Sequence, residues 1–247
     1  MKVLSITQKL RRRRQILFAM LLVSGFAISS AYLNAQTVIS NIDQMSGWVN
    51  CSTCAGAGGS GPSAPHSMSH SSSPSMDGNS AHFWLGGSTP YSNALWWKQL
   101  GAKSGAHNFV YDFYFYMKNP GASQALEFDM NQSASGRKLI FGTQCNIAGR
   151  HWDVWDTANR HWVNTGIYCG VPPAYKWNHV TLEFQRTGSN SAKFIAVTLN
   201  GKKSYINRTF NSKSSSVNEL NVAVQMDGNR YQVDYDMWVD KIKVKYW

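Results

Sequence analysis

From residue 80 to the end of the chain, apolar and polar residues alternate with a period of two, and no stretch of ten repeats with a helical period. Turn residues punctuate the alternation and mark candidate strands at 81–85, 94–100, 108–118, 124–131, 138–147, 151–155, 161–165, 179–186, 194–199, 203–207, 220–226 and 234–246. Asn200-Gly201, between AVTL and KKSYI, is the strongest hairpin signal, because a type I′ turn needs positive φ at both central positions. In the last strand Tyr235, Met237 and Val239 share one phase, while Ile242, Val244 and Tyr246 share the other. A one-residue bulge near Asp240 reconciles them. Residues 37–50 also read as strand and turn, and 51–75 as a Gly/Ser-rich surface loop. So many strands at this spacing predict an all-β chain folded as a two-sheet antiparallel sandwich or a barrel, with no internal repeat and no domain boundary within 36–247.

The first 35 residues read differently. Met1 to Gln15 is basic, Ile16 to Ile28 is apolar, and small residues lead to Ala35, a fitting last residue before cleavage. This is the layout of a secretory signal peptide, and the apolar run is shorter than the ~20 residues of a membrane helix. An uncleaved N-terminal anchor is the rival reading. The mature protein is expected to be exported, without a membrane segment, and monomeric. The leader also changes the charge. The whole chain has 24 Lys+Arg against 13 Asp+Glu, a net charge of +11. Six of the basic groups lie in the leader, which leaves 18 against 13 over 212 residues. That balance lacks the dense basic stripe of a nucleic-acid binder.

Export gives the four cysteines an oxidising setting, so disulfides are expected. Cys145 and Cys169 are expected to pair and staple a Trp- and Asp-rich loop, which contributes ~3 kcal/mol in the chain-entropy account. Cys51 and Cys54 form a local bridge or, with His66 and His70, nearly match the spacing of a two-Cys two-His zinc finger. The intervening AGAGGSGPSAP offers no small core for a finger, so the bridge and loop are preferred and no metal site is assigned. A structural Ca²⁺ is allowed by the hard oxygens of Asp227-Gly228-Asn229.

Two segments carry candidate chemistry. In ALEFDMN (125–131), Leu126, Phe128 and Met130 point one way and Glu127, Asp129 and Asn131 the other. Three polar side chains on one face of a central strand need partners or a cleft. They form either a ligand site or a structural hydrogen-bond network. In HWDVWDTANRHWVN (151–164), His151, Asp153 and Trp155 share a face, suiting a sugar held by aromatic stacking and carboxylate hydrogen bonds, although these Trp residues also suit packing beneath the disulfide. Trp96-Trp97 puts one indole on each face, so Trp97 joins the candidates.

Several segments together resemble the concanavalin A-like lectin/glucanase jelly rolls. SPSMDGNSAHFWL (73–85) resembles the opening segment of laminin G-like domains, and WNHVTLEFQRTGSNSAKFIAVTLNGKKSYI (177–206) resembles their Trp-x-His-Val strand and hairpin. MWVDKIKVKYW (237–247) resembles their closing strand, and ALEFDMN the Glu-x-Asp strand of legume lectins and laminarinase-type glucanases. The resemblance implies a jelly-roll β-sandwich whose concave sheet face holds a polysaccharide or other glycan. It implies a first Glu as glucanase nucleophile and a last Glu as acid/base, but Asn131 and Gln132 stand in the latter's region, and an amide cannot deliver a proton. Residues 132–144 contain neither Asp nor His, so the lectin-type metal pair is not expected. The leading expectation is a secreted, non-catalytic carbohydrate-binding module without a cofactor, using Glu127, Asp129, Asn131, Trp97, Asp153 and Trp155. The alternatives are a glycan hydrolase or lyase using Glu127 with a second carboxylate such as Glu183, and an adhesion or structural surface module. No Gly-x-Ser-x-Gly elbow, phosphate-cradling Gly loop or His-Glu-x-x-His occurs.

Overall fold

The computed structural model describes residues 36–55 and 60–247. The expected signal peptide lies outside the described residues. In chain order the strands are β1 (Thr37–Ile39), β2 (Val49–Cys51), β3 (His66–Ser71), β4 (Ser80–Leu85), β5 (Asn93–Gln99), β6 (Asn108–Met117), β7 (Ser123–Ala134), β8 (Arg137–Phe141), β9 (Thr143–Asn146), β10 (His151–Asp156), β11 (His161–Tyr168), β12 (Trp177–Arg186), β13 (Ala192–Leu199), β14 (Lys202–Phe210), β15 (Lys213–Ser214), β16 (Glu219–Gly228) and β17 (Tyr235–Tyr246). Two 3-10 turns, Ile42–Gln44 and Pro120–Ala122, are the helical elements among the described residues.

These strands form two antiparallel sheets. One runs β14-β13-β12-β6-β17-β4-β3, with β1 beside β17. The other runs β11-β10-β9-β7-β16-β5-β2, with β8 beside β7 and β15 beside β8. Successive strands β4 to β7 change sheet at each step, as do β16 and β17. This wraps the chain as a jelly roll. The alternation read from sequence decides which side chains enter the space between the sheets. Phe109, Tyr111, Phe113 and Phe115 from β6 meet Leu126, Phe128 and Met130 from β7, all buried. The Phe113 and Phe128 ring centroids are 4.4 Å apart, which ties the central strands of the two sheets together.

Local signals fall where the sequence puts them. Asn200 and Gly201 join β13 to β14 with φ of 48° and 84°, values for which glycine carries no Cβ penalty. The register of β17 against β6 breaks between Asp240 and Lys243, and Lys241 has φ 55°. This bulge keeps both Val239 and Ile242 buried. Asp240 is sealed there by Ser75 Oγ (2.9 Å) and the Met76 N–H (2.6 Å).

The stretch 51–75 is not loop throughout. His66–Ser71 is an edge strand, paired with β4 from His66↔Leu85 to Ser71↔Ser80. Its Ser/His composition hides it, because only Met68 turns an apolar side chain toward the core. His66 and His70 are held by the Ala64 and Asp43 carbonyl oxygens, and Cys51 is disulfide-bonded to Cys54. The zinc-finger alternative therefore has neither free thiols nor converging imidazoles. Cys145 and Cys169 also pair, joining the start of the β10–β11 hairpin region to its end. No helix among the described residues is long and apolar enough to cross a membrane.

Candidate functional site

The outer face of the nine-stranded sheet is polar at its centre. Cross-strand register lines up a row Asn164–Asp153–Gln144–Glu127–Gln225–Leu95–Cys51, one residue from each of seven strands. Side chains in register on one sheet face are contact neighbours. A parallel row begins with Trp162 and Trp155, which are paired across β11 and β10. It continues through Gly142, whose carbonyl accepts the Trp155 N–H, then Asp129, Ala223, Trp97 and Val49. Gly142 has to be glycine, because a Cβ there would lie 2.8 Å from the Trp155 Cβ. The missing side chain lets Trp155 and Trp162, 5.1 Å apart edge to face, settle over the strand.

Hydrogen bonds knit the polar row. Gln225 Nε2 donates to Glu127 Oε1 (2.6 Å) and to Asp227 Oδ1 (2.9 Å). The Gln225 amide thus holds the Glu127 and Asp227 carboxyls beside each other. Asp129 Oδ1 accepts the Thr143 N–H (3.1 Å). Asp153 is fully engaged: Gln144 Nε2 (2.7 Å) and Asn146 Nδ2 (3.2 Å) donate to Oδ2, and His151 Nε2 lies 3.0 Å from Oδ1. Asn131 Nδ2 donates to Asn221 Oδ1 (3.0 Å), which leaves the Asn131 Oδ1 acceptor without a partner.

Crowding three carboxyls on this face raises their proton affinity. Burial first, then the neighbouring Asp227 and Asp129, push Glu127 well above the usual carboxylate range. Burial and Asp227 push Asp129 up to about 7, against the pull of the Thr143 N–H. Burial pushes Asp227 up to about 6. On the other side of the molecule, burial pushes Asp43 to about 6. A raised folded-state value means the fold holds protons that the unfolded chain releases above its ordinary carboxylate range near ~4. The resulting stability is fully present below that range and is lost as pH rises through 6 to 7. Asp112 and Asp156 are shifted down and act only at lower pH, so they do not offset this loss. The melting temperature is therefore expected to fall between pH 4 and pH 7.5. Asp129→Asn, which keeps an acceptor for Thr143, is expected to flatten that slope by up to one proton, about 1.4 kcal/mol per pH unit. Thermal melts across this range check both; a slope unchanged in the variant would contradict the assignment.

All six sequence candidates, Glu127, Asp129, Asn131, Trp97, Asp153 and Trp155, sit on this one face, while Trp96 and Trp152 turn into the core. Glu183 does not join them. It lies on β12 of the other sheet, faces outward and is paired with Lys203 at 2.6 Å. Two sheets and the core, more than ~10 Å, separate it from Glu127. Residues not singled out from sequence complete the site: Gln144, Asn146, Trp162, Asn164, Asn221, Ala223 and Gln225. The signal was present in LNVAVQMD, where Leu220, Val222, Val224 and Met226 alternate with Asn221, Ala223, Gln225 and Asp227. Asp227 serves this face beside Glu127, and Asn229 is used as a clamp, with Nδ2 donating to Gly121 O and Oδ1 accepting the Tyr231 N–H. Among the described residues no three His, Cys, Asp or Glu side chains are grouped to hold a metal ion.

No family model matches the chain, and no curated protein matches it. Among solved structures it is similar to a cellulose-induced protein, Cip1, with TM-score 0.50 and 14% identity over 83% of this chain and 96% of that one. It is similar to arcelin-5, a lectin-like defense protein from Phaseolus vulgaris, with TM-score 0.50 and 11% identity over 86% and 98%. A sialidase also matches, with TM-score 0.40 and 10% identity over 67% of this chain, but the chain spans 16% of its length. At such identities the likeness to Cip1 and arcelin-5 shows the fold alone, an antiparallel jelly-roll β-sandwich.

Proposed function

We propose that this chain is a secreted carbohydrate-binding protein that holds a glycan on the outer face of its nine-stranded sheet. The observation that carries the reading is the pair of rows described above. One supplies amides and carboxyls that both donate and accept, matching sugar hydroxyls, which do the same. The other supplies the partly exposed indoles of Trp162 and Trp97 for stacking on sugar rings, with Trp155 buried against Trp162. The two disulfides support an oxidising, extracytoplasmic location.

Glycan hydrolysis is the weaker reading. A retaining pair needs two carboxyls ~5–5.5 Å apart and free to act, whereas Glu127 and Asp227 are both tied to the Gln225 amide and Glu183 is on the opposite face. Asn131, beyond Asp129 on the same strand, is an amide and has no acidic proton to deliver to a leaving group.

Affinity electrophoresis in gels containing barley β-glucan, xyloglucan, galactomannan, alginate or polygalacturonate tests the proposal. Retardation by at least one polymer is expected. Free migration in all five gels, with no heat on titrating the same polymers, would overturn it.

A further inference from the structure

We infer that the ligand of this face is an uncharged glycan chain that lies across the strands and reaches from Trp97 to the Trp155–Trp162 pair; this rests on the binding function proposed above. Two observations carry it.

The first is charge. The outward positions of β5, β16, β7, β9 and β10 carry Glu127, Asp129, Asp153, Asp227 and Glu219, with His151 beside Asp153 and no Lys or Arg; the nearest outward Lys in register is Lys138, on β8 beside Ser133. Lys98, beside Trp97, has the opposite phase and spends its ammonium on the Ser46 carbonyl at 2.7 Å. The remaining hydrogen-bonding groups at the centre are amides, Gln144, Gln225, Asn131 and Asn221. A uronate carboxylate entering this buried row would lose its hydration with no Lys or Arg to pair with, and an unpaired charge taken out of water is costly. Neutral hydroxyls meet acceptors and amide donors instead.

The second is span. From Trp155 the row crosses Gly142, Asp129 and Ala223 before Trp97, four inter-strand steps, or about 19 Å, room for roughly four pyranose rings. Glycine and alanine flank Asp129, so between the indoles only the centre of the row carries a polar side chain. A disaccharide can stack on one end alone. A longer chain engages both ends and Asp129 together, so the second indole adds its contact without a second loss of translational freedom.

The experiment compares two sets of probes at one ionic strength. The first is neutral barley β-glucan, xyloglucan and galactomannan against acidic alginate and polygalacturonate, in affinity gels. The second is the oligosaccharide series, from disaccharide to hexasaccharide, of whichever polymer binds, by calorimetry. Retardation by a neutral polymer and none by the acidic ones is expected. Affinity is expected to rise at least tenfold between the disaccharide and the pentasaccharide, and Trp97→Ala is expected to remove that rise. Tighter retention by an acidic polymer than by any neutral one would overturn this inference and leave the binding function standing. Equal affinity for disaccharide and hexasaccharide would do the same. Silence toward every probe would overturn both.

Discussion

Phe128→Ala is expected to lower the unfolding free energy by about 4 kcal/mol, a large part of the roughly 5–15 kcal/mol that holds a domain together. Phe128 is wholly buried and its ring touches Phe113 and Phe115 from the opposing sheet, at centroid distances of 4.4 and 5.5 Å. Removing it opens a cavity at the junction of β6 and β7, the central strands of the two sheets. Both are anchored by long antiparallel ladders, β6 to β12 and β17 and β7 to β16, so the site collapses poorly and the cavity term stays large. Urea denaturation measures it; a loss below about 1 kcal/mol would mean that these rings are not the core's centre.

One residue earlier on the same strand the effect is of another kind. Glu127→Ala is expected to weaken glycan binding ten- to a hundredfold, the usual cost of a lost hydrogen bond to a carboxyl in a desolvated site. Stability is expected to change by no more than about 1 kcal/mol. The Glu127 side chain touches polar neighbours, not the core, and without it Gln225 still donates to Asp227 at 2.9 Å. Burial and the neighbouring carboxyls already disfavour the charged form of Glu127, so its deletion relieves that cost. Calorimetry on the polymer that retards the wild type, with a urea melt of the same sample, separates the two quantities. A variant that unfolds with Phe128→Ala-like ease, or that binds like the wild type, would place Glu127 in a structural network instead.

The contrast between residues 127 and 128 shows what alternation makes legible. Period two in ALEFDMN assigns each side chain to a face without any knowledge of the partner strand, and the same rule separates Trp97 from Trp96 and Trp155 from Trp152. It does not say which strands are neighbours. Gln225 and Asp227 meet Glu127 only because β16 pairs with β7 across about a hundred residues of chain, and Glu183 looked available only because its sheet was unknown. The edge strand His66–Ser71 escaped for a different reason. Its one-sided contact with the core asks little of its composition, so Ser and His serve where a central strand requires Val or Phe. The bulge at Asp240, by contrast, was visible because it reverses a phase within a single strand.

The most direct measurement is amide chemical-shift mapping of the protein titrated with the soluble oligosaccharides of the polymer that binds it. The account predicts perturbations gathered on one face, at 93–99, 125–131, 142–146, 151–156 and 221–227, with β12 to β14 silent. Perturbations centred on the outer face of the other sheet, around Trp177, His179 and Glu183, would contradict it.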